Sequence, residues 1–205
     1  MLDFDGVIVD SLDATCDAAV RFLEQHGLRH LASRDAVLGF VDHNWYEGMT
    51  LAGLPPDVAR ALDLAVLDAI TQRIGEIAAV PGMPEAVRRL GADHTVVVIT
   101  SNFSDFADAL LRRHDVDGVV EIMGADHETS KVAKIRRALA RYPHPGGCWY
   151  VGDTVGDIVE ARLAGVPSIA AVWGWHAPER LIAASPDAVA RDPAELVRIV
   201  GGAGG

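Results

Sequence analysis

Asp3-Phe4-Asp5-Gly6-Val7-Ile8-Val9-Asp10-Ser11 sets two carboxylates one residue apart, closes the pair with a glycine and returns to an apolar run. Two-residue periodicity puts Asp3 and Asp5 on the same side of an extended chain. Flanked by Leu2, Phe4, Val7 and Ile8, they read as acids at the end of a buried strand. Ionised carboxylates are costly there unless a cation pairs with them. A metal ion or a reaction is therefore expected at this position. One acid can attack a phosphoryl group to form an acyl-phosphate while the other moves protons. Two solvated acids in a turn are the plainer alternative.

Outward from this stretch, short apolar bursts ending in polar loops recur at residues 95–99, 119–123, 148–151 and 168–172, besides 1–4. Helical spacing separates the later ones, over 105–114, 131–142 and 156–164. Short continuous apolar runs alternating with helices predict an α/β fold with parallel strands buried on both faces. Ligands collect beyond the carboxyl ends of such strands. Residues 12–79 have a different texture and predict an all-helical insert. Ser11 is placed to cap a helix that stops near Gly27, Ser33 and Asn44 to start two short ones, and Pro55-Pro56 to open a longer one through Ala79. The expected division is a core of residues 1–11 and 80–205 around a helical cap of 12–79. Only residues 201–205 read as disordered.

Half of the 205 residues are hydrophobic, enough for one domain or a core with a small accessory domain. A formal charge of −11 argues against a nucleic-acid or anionic-membrane surface. An anionic substrate must then be met locally, by a metal or a chosen lysine. Of the 18 Lys and Arg residues only Lys131 and Lys134 are lysines. Cys16 and Cys148 lack metal-ligand spacing and read as buried thiols in a reducing cytosol. No apolar run reaches the roughly 18 residues of a membrane span, so a cytoplasmic protein, monomeric or homodimeric, is expected. Only Met1 and Leu2 precede Asp3, whereas strands usually run about five or six residues. The central strand is thus expected to lack part of its run, and the authentic start to lie upstream.

Thr100-Ser101-Asn102 follows Val96-Val97-Val98-Ile99, where a hydroxyl and free backbone N–H groups suit phosphate oxygens and where helix capping is the alternative. Lys131, at the start of a helical stretch, is a flexible point charge for a phosphate or for crowded carboxylates. Lys134 lies one turn away, and spacing alone does not separate the two. Gly152-Asp153-Thr154-Val155-Gly156-Asp157 ends another buried strand with an acid and places a second acid one helical turn later. Hard oxygen ligands from two distant segments suit Mg²⁺.

Taken in order, these four segments resemble the haloacid dehalogenase superfamily, whose pattern is Asp-x-Asp, Thr/Ser, Lys and Gly-Asp-x-x-x-Asp. The resemblance covers nearly the whole chain and implies a Rossmann-like core with a helical cap inserted after the first motif. It implies that Asp3 is the nucleophile and Asp5 the general acid/base, and that Thr100 and Lys131, with Ser101 and Asn102 beside them, hold the phosphate. It further implies that Mg²⁺ is bound by the Asp3 side chain, the Asp5 carbonyl and Asp153, with Asp157 supporting the set from behind. Dehalogenases lack the second acid of the first motif, present here as Asp5. Phosphonoacetaldehyde hydrolases need a cap lysine, and none precedes Lys131.

Gly165-Val166-Pro167, Trp173-Gly174-Trp175-His176 and Ser185-Pro186-Asp187-Ala188 resemble phosphoglycolate-phosphatase-like members. Trp173, Trp175 and His176 are candidates for bordering the site, with packing as the alternative. His43, Asn44, Trp45 and Tyr46 form a polar–aromatic cluster in the cap and are candidates for touching the leaving group. The expectation is an Mg²⁺-dependent phosphatase of a small phosphorylated metabolite, phosphoglycolate-like or a sugar phosphate. Two alternatives remain: a sugar phosphomutase, although Thr15 stands where mutases carry a cap histidine, and a non-catalytic phospho-ligand binder.

Overall fold

Residues 1–143 and 146–202 are described by the computed structural model. Two very short strands bracket the helical insert. Val9–Asp10 (β1) runs antiparallel to Ala78–Ala79 (β2), with Val9 opposite Ala79 and Asp10 opposite Ala78. Between them lie Leu12–Gln25 (α1), Arg34–Phe40 (α2), Trp45–Leu51 (α3) and Pro56–Gln72 (α4). Local chemistry sets their ends. Gly27 takes the left-handed conformation after α1 at φ +74, Ser33 Oγ accepts from the Ala36 N–H, and Asn44 Oδ1 accepts from the Tyr46 N–H. Ala19 and Leu23 on α1, and Leu62, Val66 and Ile70 on α4, repeat at helical spacing and are buried where these two helices pack.

Three expectations for this segment are corrected. The Ser11 hydroxyl does not cap α1; it donates to Asp5 Oδ1 at 2.6 Å. Helix α4 ends at Gln72 rather than Ala79, because the chain turns where Arg73 Nε bonds Glu76 and then enters β2. The segment expected to hold no strand therefore contributes β2 at its end.

The remaining elements alternate: Met83–Asp93 (α5), Val96–Ile99 (β3), Ser104–Arg113 (α6), Val119–Met123 (β4), Lys131–Arg141 (α7), Tyr150–Gly152 (β5), Val155–Ala164 (α8), Ser168–Ala171 (β6), Pro178–Ala183 (α9), Ala188–Ala190 (β7) and Pro193–Gly202 (α10). Gly201 and Gly202, expected to be disordered, close α10, whereas 203–205 lie outside the described residues. β3 pairs parallel with β4, and β5 with β6 and then β7. Leu2 joins the two groups, bridging Val98 and Val151 in parallel sense. The order is thus β4-β3-Leu2-β5-β6-β7.

The expected strand over residues 1–4 is reduced to this junction. Leu2 N donates to Val97 O at 2.9 Å, Ile99 N donates to Leu2 O at 2.9 Å, and Asp3 N donates to Val151 O at 2.8 Å. The chain then turns at once, with the N–H groups of Ile8 and Val9 both donating to Phe4 O. Asp3 therefore sits at the carboxyl end of the sheet, between the ends of β3 and β5. Cys16 is buried as expected, while Cys148 is only half-buried. Among the described residues no helix is long and apolar enough to cross a membrane.

The loop between α2 and α3 rests directly on the core. Gly156 N donates to Val41 O at 3.2 Å, Asn44 Nδ2 donates to Thr129 O at 3.2 Å, and Arg180 pairs with Asp42. His176 Nδ1 accepts from Val155 N at 3.0 Å, which leaves Nε2 to donate to Leu38 O at 3.1 Å. Burial lowers the His176 pKa, in keeping with this neutral tautomer. The approach is backbone to backbone: a Cβ on Gly156 would lie 2.5 Å from His43 O and 2.9 Å from Val41 O. Gly156→Ala is expected to cost about 1–3 kcal/mol of stability. It should also speed amide exchange over residues 38–46 while β3 and β5 keep their protection. Unchanged stability and unchanged exchange would contradict this account of the contact.

Candidate active site

Two chain segments, the one after Leu2 and the one from the end of β5 into the first turn of α8, bring three acids together. Asp3, Asp153 and Asp157 are buried and offer oxygens that all lie within 4.8 Å of one another. Lys131 Nζ, reaching in from the first turn of α7, is 2.9 Å from Asp3 Oδ2 and 2.7 Å from Asp157 Oδ1. Burial alone would neutralise that lysine, but the charges of Asp157 and Asp3 outweigh it and hold its pKa well above the ordinary value.

Asp157 is committed to the protein on both oxygens. Oδ1 also accepts from Tyr150 Oη at 3.1 Å, and Oδ2 accepts from Thr154 Oγ1 at 2.6 Å and Thr154 N at 3.1 Å, closing a capping box on α8. Burial pushes its pKa up, but Lys131 and Thr154 outweigh that and hold it below the usual range. Asp3 goes the other way. Burial first, then the Asp157 charge, raise it to about 8 despite Lys131.

Asp153 has the least provision. Trp175 N donates to its Oδ2 at 2.6 Å, while the buried Oδ1 has no hydrogen-bond partner. Burial and the charges of Asp157 and Asp3 drive its pKa well up. Backbone hems it in: a Cβ on Gly6 would lie 1.9 Å from its Oδ2, and one on Gly174 2.2 Å from its Cβ. Gly6 also needs its left-handed φ of +74. A buried carboxylate oxygen without a partner, beside the Asp3 carboxylate, is a donor set that suits a hard divalent cation.

Asp5 faces the same space but is held differently. Ser11 Oγ donates to its Oδ1 at 2.6 Å, and Asn102 Nδ2 to its Oδ2 at 2.7 Å, with Thr100 Oγ1 at 3.5 Å. Burial raises its pKa against those bonds. Thr100 is fully buried, accepts from the Asn102 N–H at 2.9 Å and does not line the cleft, whereas Ser101 and Asn102 do. The two lysines separate cleanly. Lys134 Nζ donates to Thr100 O at 2.6 Å, and burial, then the Lys131 charge, lower its pKa to about 8.

A cleft of about 660 Å³, counted with its open mouth, lies between these groups and the helical insert. Of the four candidates from the insert, His43, Asn44 and Trp45 line it. His43 is exposed, Asn44 Nδ2 donates to Glu160 Oε1 at 3.2 Å, and Trp45 Nε1 donates to Asp63 Oδ1 at 3.1 Å. Tyr46 Oη donates to Asp63 Oδ2 at 3.2 Å and reaches Ser101 O at 3.4 Å. Thr15, Val66, Leu67 and Ile70 complete that wall. Of the residues after β6, Trp175 lines the cleft and its buried indole N–H has no acceptor. Trp173 Nε1 donates instead to Val7 O at 3.2 Å, and His176 serves the contact with the insert.

Sequence reasoning missed Asp63 and Glu160, both on the cleft wall. Glu160 carried one usable signal: it lies three residues after Asp157, hence on the same helix face. Burial raises its pKa to about 7.

Comparison with known proteins gives the chain a family. The family model described as haloacid dehalogenase-like hydrolase matches residues 1–171. A phosphoglycolate phosphatase of Synechococcus elongatus is 25% identical, over 98% of this chain and 95% of its own. One from Caulobacter vibrioides is 30% identical, over 84% and 78%. The solved structure of a haloacid dehalogenase-like hydrolase from Streptococcus pneumoniae superposes with a TM-score of 0.78 at 21% identity, over 97% of this chain and 96% of that one.

The Glu160 carboxyl has a folded pKa of about 7 against an ordinary 4.5, so the folded state holds its proton more tightly. Its contribution is present below pH 4.5 and is lost as pH rises through about 7. Glu160→Gln keeps an acceptor for Asn44 and removes the titration. The variant should match the wild type near pH 4.5 and exceed it by on the order of 1–3 kcal/mol at pH 8.5. Denaturant unfolding at both pH values measures this, and a difference that does not change with pH would contradict it.

Proposed function

The chain belongs to the haloacid dehalogenase-like hydrolases and is a phosphoric monoester hydrolase; from that premise we propose that it is an Mg²⁺-dependent phosphatase of small phosphomonoesters acting through an aspartyl-phosphate on Asp3. The observation that carries this reading is the placement of Asp3. Its carboxylate follows the Leu2 junction at the middle of the sheet, lines the cleft beside Asp5 and is held at 2.9 Å by a buried ammonium, that of Lys131.

In the first step an Asp3 oxygen attacks phosphorus, and the bond from phosphorus to the alcohol oxygen breaks. The Asp5 carboxyl gives its proton to the departing alkoxide, a role suited by burial that keeps the acid protonated more readily than usual. In the second step Asp5, now a carboxylate, takes a proton from water as its oxygen attacks phosphorus. Inorganic phosphate leaves and the Asp3 carboxylate is restored. Ser11 and Asn102 keep Asp5 pointed at the reacting oxygen through both steps. Lys131 stays charged and stabilises negative charge on the transferring group, while Ser101 and Asn102 border its oxygens. Asp3, Asp153 and the Asp5 backbone carbonyl would hold Mg²⁺, with Asp157 fixing Lys131 behind them. When bound, the ion supplies positive charge to the phosphoryl oxygens.

With Mg²⁺ at about 100 times its dissociation constant, the protein should gain about 2.7 kcal/mol of stability. Asp153→Asn should abolish that gain. Asp3→Asn should lower the turnover of p-nitrophenyl phosphate by on the order of 10³-fold or more, and chelation should remove it from the wild type. Metal-independent turnover, or an Asp3→Asn protein with undiminished activity, would overturn the reading.

A further inference from the structure

The charges around the cleft are lopsided in a way that bears on the leaving group. Beyond the catalytic pair two more carboxylates, Asp63 and Glu160, line the wall. Lys131 is already bonded to two carboxylates, and the other basic side chain among the described lining residues, His43, is exposed. Among the described lining residues Lys131 is thus the one buried cation, and it is committed to carboxylates rather than open to one carried by the substrate's alcohol. Asp63 is fixed by Trp45 Nε1 and Tyr46 Oη, and Glu160 by Asn44 Nδ2, so each acceptor is held by the insert. Facing these acceptors is a donor, the Trp175 indole N–H, which is buried without a partner. A group that both gives and takes hydrogen bonds fits such a wall, and the apolar side chains Val66, Leu67 and Ile70 fit a carbon skeleton.

We propose that the substrate is the phosphomonoester of a neutral polyhydroxyl alcohol, a polyol or sugar phosphate, recognised by Asp63, Glu160 and Trp175, and that esters of hydroxy acids are discriminated against. This rests on the phosphatase reading and narrows it. A carboxylate on the leaving alcohol would be brought beside two acidic acceptors that can give it no cation, which costs binding and turnover together. A hydroxyl there would donate to a buried carboxylate, and a site built to bond a hydroxyl rejects analogues that lack one.

The test is a comparison of kcat/KM for glycerol 3-phosphate, a hexose 6-phosphate, phosphoethanolamine and 2-phosphoglycolate. The proposal expects at least one of the two polyhydroxyl esters to exceed both of the others by about tenfold or more. It also expects Glu160→Gln and Asp63→Asn each to shrink that margin over 2-phosphoglycolate severalfold. A best substrate bearing a carboxylate or an ammonium, or a margin unmoved in both variants, would overturn it. Calorimetric binding of the same four esters to Asp3→Asn with Mg²⁺ reads the preference without turnover. If the wild type hydrolyses none of them, the phosphatase reading fails and the order of binding still decides this inference. Equal binding of all four, or binding of none, would overturn it as well.

Discussion

The Lys131 ammonium, wedged between Asp3 and Asp157, is the interaction on which the rest of the structure depends. Asp3, Asp5, Asp153, Asp157 and Glu160 come to one end of the sheet, a concentration of acid that burial would not allow without compensation. Lys131 answers two of the five directly. Its position is secured from behind, because the Asp157 carboxylate is itself fixed by Tyr150 and by the capping box with Thr154. The lysine is thereby kept charged in a buried place and aimed at Asp3. What it leaves over is the unpartnered oxygen of Asp153, a donor that suits a divalent cation.

The backbone accommodates this crowding only through glycine. Gly6 and Gly174 both close on Asp153, and Gly152 lies against Asp157, where a Cβ would meet the aspartate Cβ at 2.2 Å. Gly156 lets the loop before α3 lie on the start of α8. The same loop carries Asn44 and Trp45 to the cleft, so the docking of the insert and the shape of the cleft are one geometric fact. His176 takes part from the other side, accepting from Val155 and donating to Leu38 across the contact.

Much of this was legible in the sequence because the chemistry is local in the chain. Asp3 and Asp5 lie within one turn, Asp153 and Asp157 within another, and the second pair follows an apolar run that forms a buried strand. The helix starts at Ser33 and Asn44 were readable from capping chemistry for the same reason. What escaped depends on the third dimension. Lys131 and Lys134 lie on one face of α7, and only the fold shows that the second turns to the Thr100 carbonyl. Asp63 sits in the middle of α4 and looks like any solvated helix acid until α3 brings two aromatic donors to it. Pro55-Pro56 marked the start of α4 but nothing local marked its end, which is set by the pairing of Ala78–Ala79 with Val9–Asp10. Ser11 had the right chemistry for a cap, but its side chain is turned to donate to the Asp5 carboxylate, and its oxygen accepts from no N–H of α1.

The central claim is that Asp3 takes the phosphoryl group before water does. Two successive in-line displacements leave the configuration at phosphorus unchanged, whereas direct attack by water inverts it. The most direct measurement is the stereochemical course of hydrolysis of an isotopically chiral phosphorothioate ester. Retention is the result predicted from a nucleophilic Asp3 with Asp5 as its proton carrier. Inversion would contradict it, reducing Asp3 to a ligand beside the reaction.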